Sequence, residues 1–318
     1  MNKFKKIGLT ALASSLVVSS AVAGEMSVSG GASIGLKNTT KTSSGKSWTM
    51  GNQLTFTGSG ELDNGMNVSL SMVIDQNDDS TLSTAAQLDN GPFDSHSVTV
   101  SSDAMGTLVF SGEGGSSANS AIDTTAAGDL WNNGSGMGGP IAPNAGNNSL
   151  FYTLPSVMDD VSITASYSPG RATQPSATAF GIGFTGVEGL SLNVARGDKD
   201  TVGSEAEITT IKASYAVGSF TLGYSVNDAE TDASGGDEEL TSMNIAYTVS
   251  DNMSVSYGVE SFENEGSSND EEMTGFGVSY TTGGVTLSAN QYNAENIAGI
   301  AGTAGEKERW ALSASFAF

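Results

Sequence analysis

The chain has 318 residues, 35 acidic and 12 basic, for a net charge of −23 at pH 7; it carries one histidine and no cysteine. The acidic balance argues against a nucleic-acid partner, because displacing counterions from phosphate needs Lys and Arg. Zero cysteines exclude disulfides, thiolate zinc sites, cysteine nucleophiles and an acylated lipoprotein anchor, and His96 alone leaves little material for imidazole chemistry.

Lys3, Lys5 and Lys6 precede an apolar stretch, 7–18, too short to span a bilayer, and Ala21-Val22-Ala23 follows as a small-x-small cleavage site. Residues 1–23 are expected to be a secretory signal removed on Sec-type export. The mature chain 24–318 then holds nine basic groups against 35 acidic ones, a net charge of −26. Hydrophobic residues make up only 37% of the sequence, low for a globular core, yet they are strictly patterned. Polarity without disorder is what a barrel with a wet interior gives.

Period-2 alternation begins at 25–36, where Met26, Val28, Gly30, Ala32, Ile34 and Leu36 share a face. A polar loop leads to 47–62, and Asp63-Asn64-Gly65 turns the chain into 66–74; Asn-Gly between two alternating runs is a strong hairpin signal. The pair 96–102 and 107–112 follows, then a long interruption. Beyond it the same unit repeats at 149–154 and 161–167, 177–184 and 190–196, 207–216 and 220–227, 239–249 and 253–262, and 273–280 and 285–292. The run 307–318 closes the set, with Trp310, Leu312, Ala314, Phe316 and Phe318 on one face and Arg309, Ala311, Ser313, Ser315 and Ala317 on the other.

Sixteen strands, seven tight turns and eight longer loops put both termini on the rim of the tight turns, the layout of a bacterial outer-membrane barrel. A soluble sandwich would also alternate, but it would expose Lys and Glu on its outer face. Here the non-aromatic face is mostly Ser, Thr, Gly and Asn, and charges collect in the loops. Tyr167, Phe184, Tyr215, Phe220, Tyr280 and Trp310 sit at strand ends, where they form interfacial girdles. A solenoid would show a fixed short repeat, which is absent. The expected fold is all-β: a 16-stranded antiparallel transmembrane β-barrel.

Three segments carry a family likeness: Met26-Ser27-Val28-Ser29-Gly30, the hairpin from Phe56-Thr57-Gly58-Ser59-Gly60 to Met66, and the pair from Ser101-Ser102-Asp103-Ala104-Met105-Gly106 to Gly112. In this order, with the strand count and Phe318, the mature chain resembles the general porins of alphaproteobacterial outer membranes, the Rhodobacter-type family. The resemblance implies a Gram-negative outer-membrane porin, usually a homotrimer, passing small hydrophilic solutes by diffusion. It also implies contact with outer-membrane lipid and lipopolysaccharide. Trp310, Phe316 and Phe318 would be the signal read by the barrel assembly machinery. It places the interruption 113–148 as a third outer loop that folds inward and narrows the pore, facing arginines and lysines on the wall.

Glu113, Asp123 and Asp129 are the acids of that segment, which holds no base; Gly134, Gly136, Gly138, Gly139, Pro140 and Pro143 permit a tight path. The alternative is an external loop whose carboxylates are simply solvated. Among wall positions, Lys37, Lys212 and Arg309 are the candidate lumen bases, Lys307 lies near a rim, and Gln53 stands where the resemblance expects an arginine. Acids on the loop with few bases facing them predict a cation-preferring pore. Gly30, Ala32, Gly58 and Gly60 on the outer side of the first two strands mark a candidate subunit contact.

Other chemistry is thin. No cofactor is implied; Asp75-Gln76-Asn77-Asp78-Asp79 has alternating oxygen ligands for Ca2+, but Ser80 and Ala86 replace the glycine and closing glutamate of a calcium hand. The acidic runs 235–239 and 269–272 read as solvated loop charge, or as carboxylates bridged by divalent cations. A phospholipase-type barrel enzyme needs a His/Ser pair and usually fewer strands; His96 opens a strand with no obvious Ser/Asp constellation and reads as an interfacial or rim side chain. A substrate-specific channel and an adhesive surface barrel are the alternatives to a general pore.

Overall fold

A computed structural model describes residues 24–39, 45–75, 93–122, 124–133, 136–143, 146–170, 175–201 and 204–318. The expected signal 1–23, the run 76–79, Asp123 and Gly134 lie outside the described residues. Sixteen strands appear among those described: β1 (Glu25–Thr39), β2 (Gly45–Glu61), β3 (Asn67–Asp75), β4 (Ser95–Ser102), β5 (Gly106–Glu113), β6 (Ser149–Thr153), β7 (Val161–Ser168), β8 (Ala177–Phe184), β9 (Leu190–Thr201), β10 (Ser204–Val217), β11 (Phe220–Thr231), β12 (Glu238–Ser250), β13 (Met253–Asn264), β14 (Glu271–Thr282), β15 (Val285–Glu295) and β16 (Lys307–Ala317). Each pairs antiparallel with its sequence neighbours, and β16 pairs with β1 to close the barrel.

The closing ladder runs from Gly31 opposite Ala317 to Thr39 opposite Arg309. Phe318 completes it, its N–H donating to the Gly30 carbonyl at 3.0 Å and its carbonyl accepting from the Gly30 N–H at 2.8 Å. The Asn64-Gly65 turn forms as its residues require: Gly65 takes φ 79°, a left-handed value open to glycine.

Alternation sorts the two faces. Leu312, Ile245, Leu222, Phe180 and Trp48 lie exposed on the outer wall, while their sequence neighbours Ser313, Asn244, Gly223, Gly181 and Thr49 face inward. At the turn-side ends of the strands Tyr215, Phe220, Tyr247 and Tyr280 stay on the outer face. Phe220 and Tyr247 pack as a cross-strand pair with ring centroids 4.8 Å apart. Tyr167 and Trp310 occupy the loop-side ends of β7 and β16.

Every expected strand is present, but several run further toward the loops. The pair expected at 190–196 and 207–216 extends to Leu190–Thr201 and Ser204–Val217. The added residues include Asp198, Asp200 and Glu205, with Glu205 opposite Asp200 and Glu207 opposite Asp198. The hydrogen-bond ladder continues in water after the apolar pattern that marks the hydrocarbon has ended. For the same reason Glu113 is the last residue of β5 and not part of the loop. A bulge in that pair sets Glu113 opposite His96.

The buried apolar residues are not in the sheet as such but between the inner wall and the segment after β5. Leu130 and Met137 of that segment pack with Leu240, Phe262, Met273, Ala294 and Ile297. Ala118 packs with Ala179 and Ala195, with Ile122 and Phe151 against them. Ile141 covers Ala206, Ile208 and Ala229.

The in–out alternation has a direct test. Leu312→Arg places a charge on the outer wall and is expected to cost about 2–4 kcal/mol of barrel stability, whereas Ser288→Arg on the inner wall costs under about 1 kcal/mol. Denaturant unfolding of the two variants in lipid vesicles measures the difference.

Candidate functional site

After β5 the chain runs along the inner wall from β7 to β16, and polar side chains on that wall bind its backbone. Ser166 Oγ accepts from Ala118 N at 3.0 Å, Ser225 Oγ from Ala126 N at 2.9 Å and Ser242 Oγ from Ala127 N at 2.9 Å. Asn227 acts as a short strand of its own: its Oδ1 accepts from Ile141 N at 2.8 Å and its Nδ2 donates to Ile141 O at 2.9 Å. Asn119 reaches from the segment into the wall, its Nδ2 donating to Ile208 O at 3.2 Å and Thr210 Oγ1 at 3.0 Å.

Two wall carboxylates hold the segment's N–H groups. Glu260 on β13 is fully buried; it accepts from Trp131 N at 2.6 Å, from Ser242 Oγ at 3.4 Å and from the Thr125 hydroxyl. Glu271 at the start of β14 accepts from Gly138 N at 3.0 Å and from Ala298 N at 3.1 Å, so one carboxylate ties this segment to the loop before β16. A buried carboxylate is tolerated only when hydrogen-bonded, and these are supplied with donors.

The wall also makes room. A Cβ on Gly258 would lie 2.6 Å from Ala127 Cβ, and one on Gly275 would lie 2.5 Å from the Leu130 side chain. Glycine at these two positions makes room for Ala127 and for the Leu130 side chain against the wall.

The expected site residues divide into groups. Lys212 and Arg309 lie on the arc the segment covers and not across the lumen from it. Lys212 Nζ donates to Thr124 O and Arg309 Nη1 to Asn133 O. Arg309 also lies over the Tyr292 ring, 5.9 Å from its centroid. Lys307 sits at the same place, its Nζ 3.3 Å from where a Gly136 Cβ would be. Lys37 and Gln53 face inward on β1 and β2, on the arc β1–β5 that the described hydrogen bonds of the segment leave open. Trp310, Phe316 and Phe318 share the outer side of the closing strand.

Asp129 lies in the segment at φ 56°. Its Oδ1 accepts from Thr125 N at 2.9 Å and from Trp131 Nε1 at 3.3 Å, and its N–H donates to Thr125 Oγ1 at 2.7 Å. It is therefore a carboxylate that also shapes the turn carrying it. Glu260, Asn227 and Asn119 were not singled out from sequence, and Glu271, read there as part of the solvated acidic run 269–272, is instead a buried acceptor at the start of β14. A signal existed: Ile208, Leu240, Phe262 and Met273 are large apolar residues on the inward parity of otherwise Ser/Gly-rich strands, and they mark where the segment docks.

The sequence profile of the Gram-negative porin family matches residues 8–318. The chain belongs to the Gram-negative porin family. No curated protein has a significantly similar sequence. Among solved structures, the porin is similar to in-vitro folded OmpT of Vibrio cholerae, with TM-score 0.70 and 16% identity over 94% of this chain and 99% of that one. The anion-selective porin of Comamonas acidovorans gives TM-score 0.70 and 14% identity over 93% and 100% of the two chains. OmpF of Salmonella typhi, in complex with daunomycin, gives 0.71 and 12% over 93% and 98%. At such identities the likeness is one of fold.

Glu260→Ala strips the acceptors from Trp131 N and the Thr125 hydroxyl and is expected to lower the local stability of the segment by about 2–6 kcal/mol, at roughly 1–3 kcal/mol per unsatisfied donor. Faster amide exchange at Trp131 and new protease cleavage within 114–148, with the barrel intact, are the readouts. Glu260→Gln, which keeps one acceptor oxygen, should show a smaller effect.

Proposed function

We propose that this porin is an outer-membrane diffusion channel for small hydrophilic solutes and ions, constricted by the segment after β5 and selective for cations. The observation that carries the reading is the commitment of Lys212 and Arg309 to carbonyl oxygens of the segment. Bases used in this way brace the constriction from behind and leave its open side to acids. Across the lumen, the arc β1–β5 presents Lys37 as its one inward base among the described residues, against Asp75 near the loop rim and Glu25 and Glu61 near the turn rim. Carboxylates along a narrow aqueous path lower the energy of cation entry.

The same reading includes the Rhodobacter-type likeness of 26–30, 56–66 and 101–112, export by the signal 1–23, and a passage through the assembly machinery directed by Trp310, Phe316 and Phe318. A homotrimer is part of it: OmpT of Vibrio cholerae is described in a trimer form, and Gly30, Ala32, Gly58 and Gly60 are small residues on the outer side of β1 and β2, the candidate subunit contact. A channel is favoured over a phospholipase-type enzyme by the position of His96. It pairs with Met72 on the outer side and lies against Gly112, away from the inward hydroxyls.

Reversal potentials across planar bilayers under a salt gradient test the selectivity, with cation preference expected; anion preference overturns it. Asp129→Asn keeps the Oδ1 acceptor of the Thr125 turn and removes only the charge. It should reduce the cation-to-anion permeability ratio about two- to fivefold, the range for a solvent-accessible charge worth up to about 1 kcal/mol.

A further inference from the structure

On the open arc, below the level at which the segment meets β16, the inner wall is recessed across four strands. In one row Asp75, Gln53 and Gly31 stand side by side on β3, β2 and β1. In the next, Gly51, Ser33 and Ser315 stand side by side on β2, β1 and β16. All six positions have inward parity, and together they line a cavity of about 330 Å³. The centre of the patch is where side chains are missing. A Cβ on Gly31 would meet only the Phe316 carbonyl oxygen, at 3.4 Å, while one on Gly51 would lie 2.8 Å from Ser33 Oγ, so the Ser33 hydroxyl takes the room that Gly51 leaves. Gln53 is exposed to the lumen at the edge of the recess.

The volume lies at the small end of sites that hold organic ligands. The lining offers hydrogen bonds of both senses: the Gln53 amide and the Ser33 and Ser315 hydroxyls each donate and accept, and Asp75 adds an anionic acceptor. It contains no base and no inward aromatic face. A neutral polyol satisfies the hydroxyl and amide groups, an ammonium on the same ring gains Asp75 as well, and a carboxylate in its place meets like charge. Without an aromatic platform the hold is weak, as transit requires, since a solute that enters must also leave.

We propose that this recess is a resting site for single-ring polyhydroxylated solutes bearing an ammonium group, amino sugars in chemical class. The proposal rests on the channel reading above and adds a wall site to it. Gln53 then has a role of its own: a long base at that position would fill the recess and reverse its charge preference.

Single-channel recording with glucosamine, glucose and glucuronate tests it, because the three differ in charge at nearly equal size. Transient current interruptions are expected to be most frequent with glucosamine, fewer with glucose and fewest with glucuronate. Asp75→Asn should bring glucosamine down to the level of glucose, a loss of about two- to fivefold, as expected for an accessible ion pair. Gly31→Leu fills the recess and should suppress interruptions by glucose and glucosamine alike; Gln53→Leu, at an exposed position, provides the same test if the glycine variant does not assemble. Conductance steps with equal responses to the three solutes overturn the proposal alone. A glucosamine preference untouched by Asp75→Asn also overturns it, by assigning discrimination to the loop acids. A protein without conductance steps overturns the channel reading and this proposal with it.

Discussion

Closure of the hydrogen-bond ladder is the constraint on which the rest of the molecule depends. In hydrocarbon every unpaired backbone N–H and C=O is costly, so a sheet can cross a membrane only when its first strand meets its last. Here that meeting is the pairing of β1 with β16, completed by the reciprocal bonds of Phe318 and Gly30. Closure forces one face of every strand inward. It thereby turns a period-2 sequence into two surfaces with separate solvents.

The inner surface, being wet, gives the barrel no core, and the chain builds one elsewhere. The three buried apolar clusters each join residues of the segment after β5 to inward residues of the wall. Apolar packing and backbone bonding act together there. Leu130 seats beside Gly275, while the Trp131 N–H and the Thr125 hydroxyl donate to Glu260. Because a buried carboxylate without donors is unfavourable, Glu260 and the segment depend on one another. Neither the loop without its acceptor nor the acceptor without its loop is a stable arrangement.

Sequence showed the barrel well and the interior poorly, and the difference is physical. Alternation reports contact with lipid, so all sixteen strands were legible where they cross the hydrocarbon, as was the outer placement of Leu312 and Phe316. Alternation says nothing beyond the lipid, and the extension of β9 to Thr201 through Asp198 and Asp200 was invisible for that reason. The inward parity of Lys212 and Arg309 was readable from their strands, but their partners were not. Thr124 and Asn133 lie far from them in sequence and offer backbone carbonyls, which carry no sequence signature. Leu240, Phe262 and Met273 did carry one, as apolar residues on a polar face. A search for exceptions to the pattern, in place of the pattern itself, finds the docking surface.

The bases show why counting charges is a poor guide to a pore of this kind. Inward bases are few, and Lys212 and Arg309, whose hydrogen bonds are directed at loop carbonyls, serve first as struts. Their charge then acts from behind the backbone and not from the edge that solutes pass. A carboxylate in the wall does the complementary work, taking the N–H groups that the same loop must satisfy. Wall charge of both signs is thus used to hold the loop, and in the proposed channel a solute would meet the residues left over: Asp129 on the turn, and the hydroxyl- and amide-lined arc that carries Gln53 and Asp75. In the proposed channel, selectivity would follow from how the charges are used in the architecture, with the inner wall opposite the loop setting the remainder.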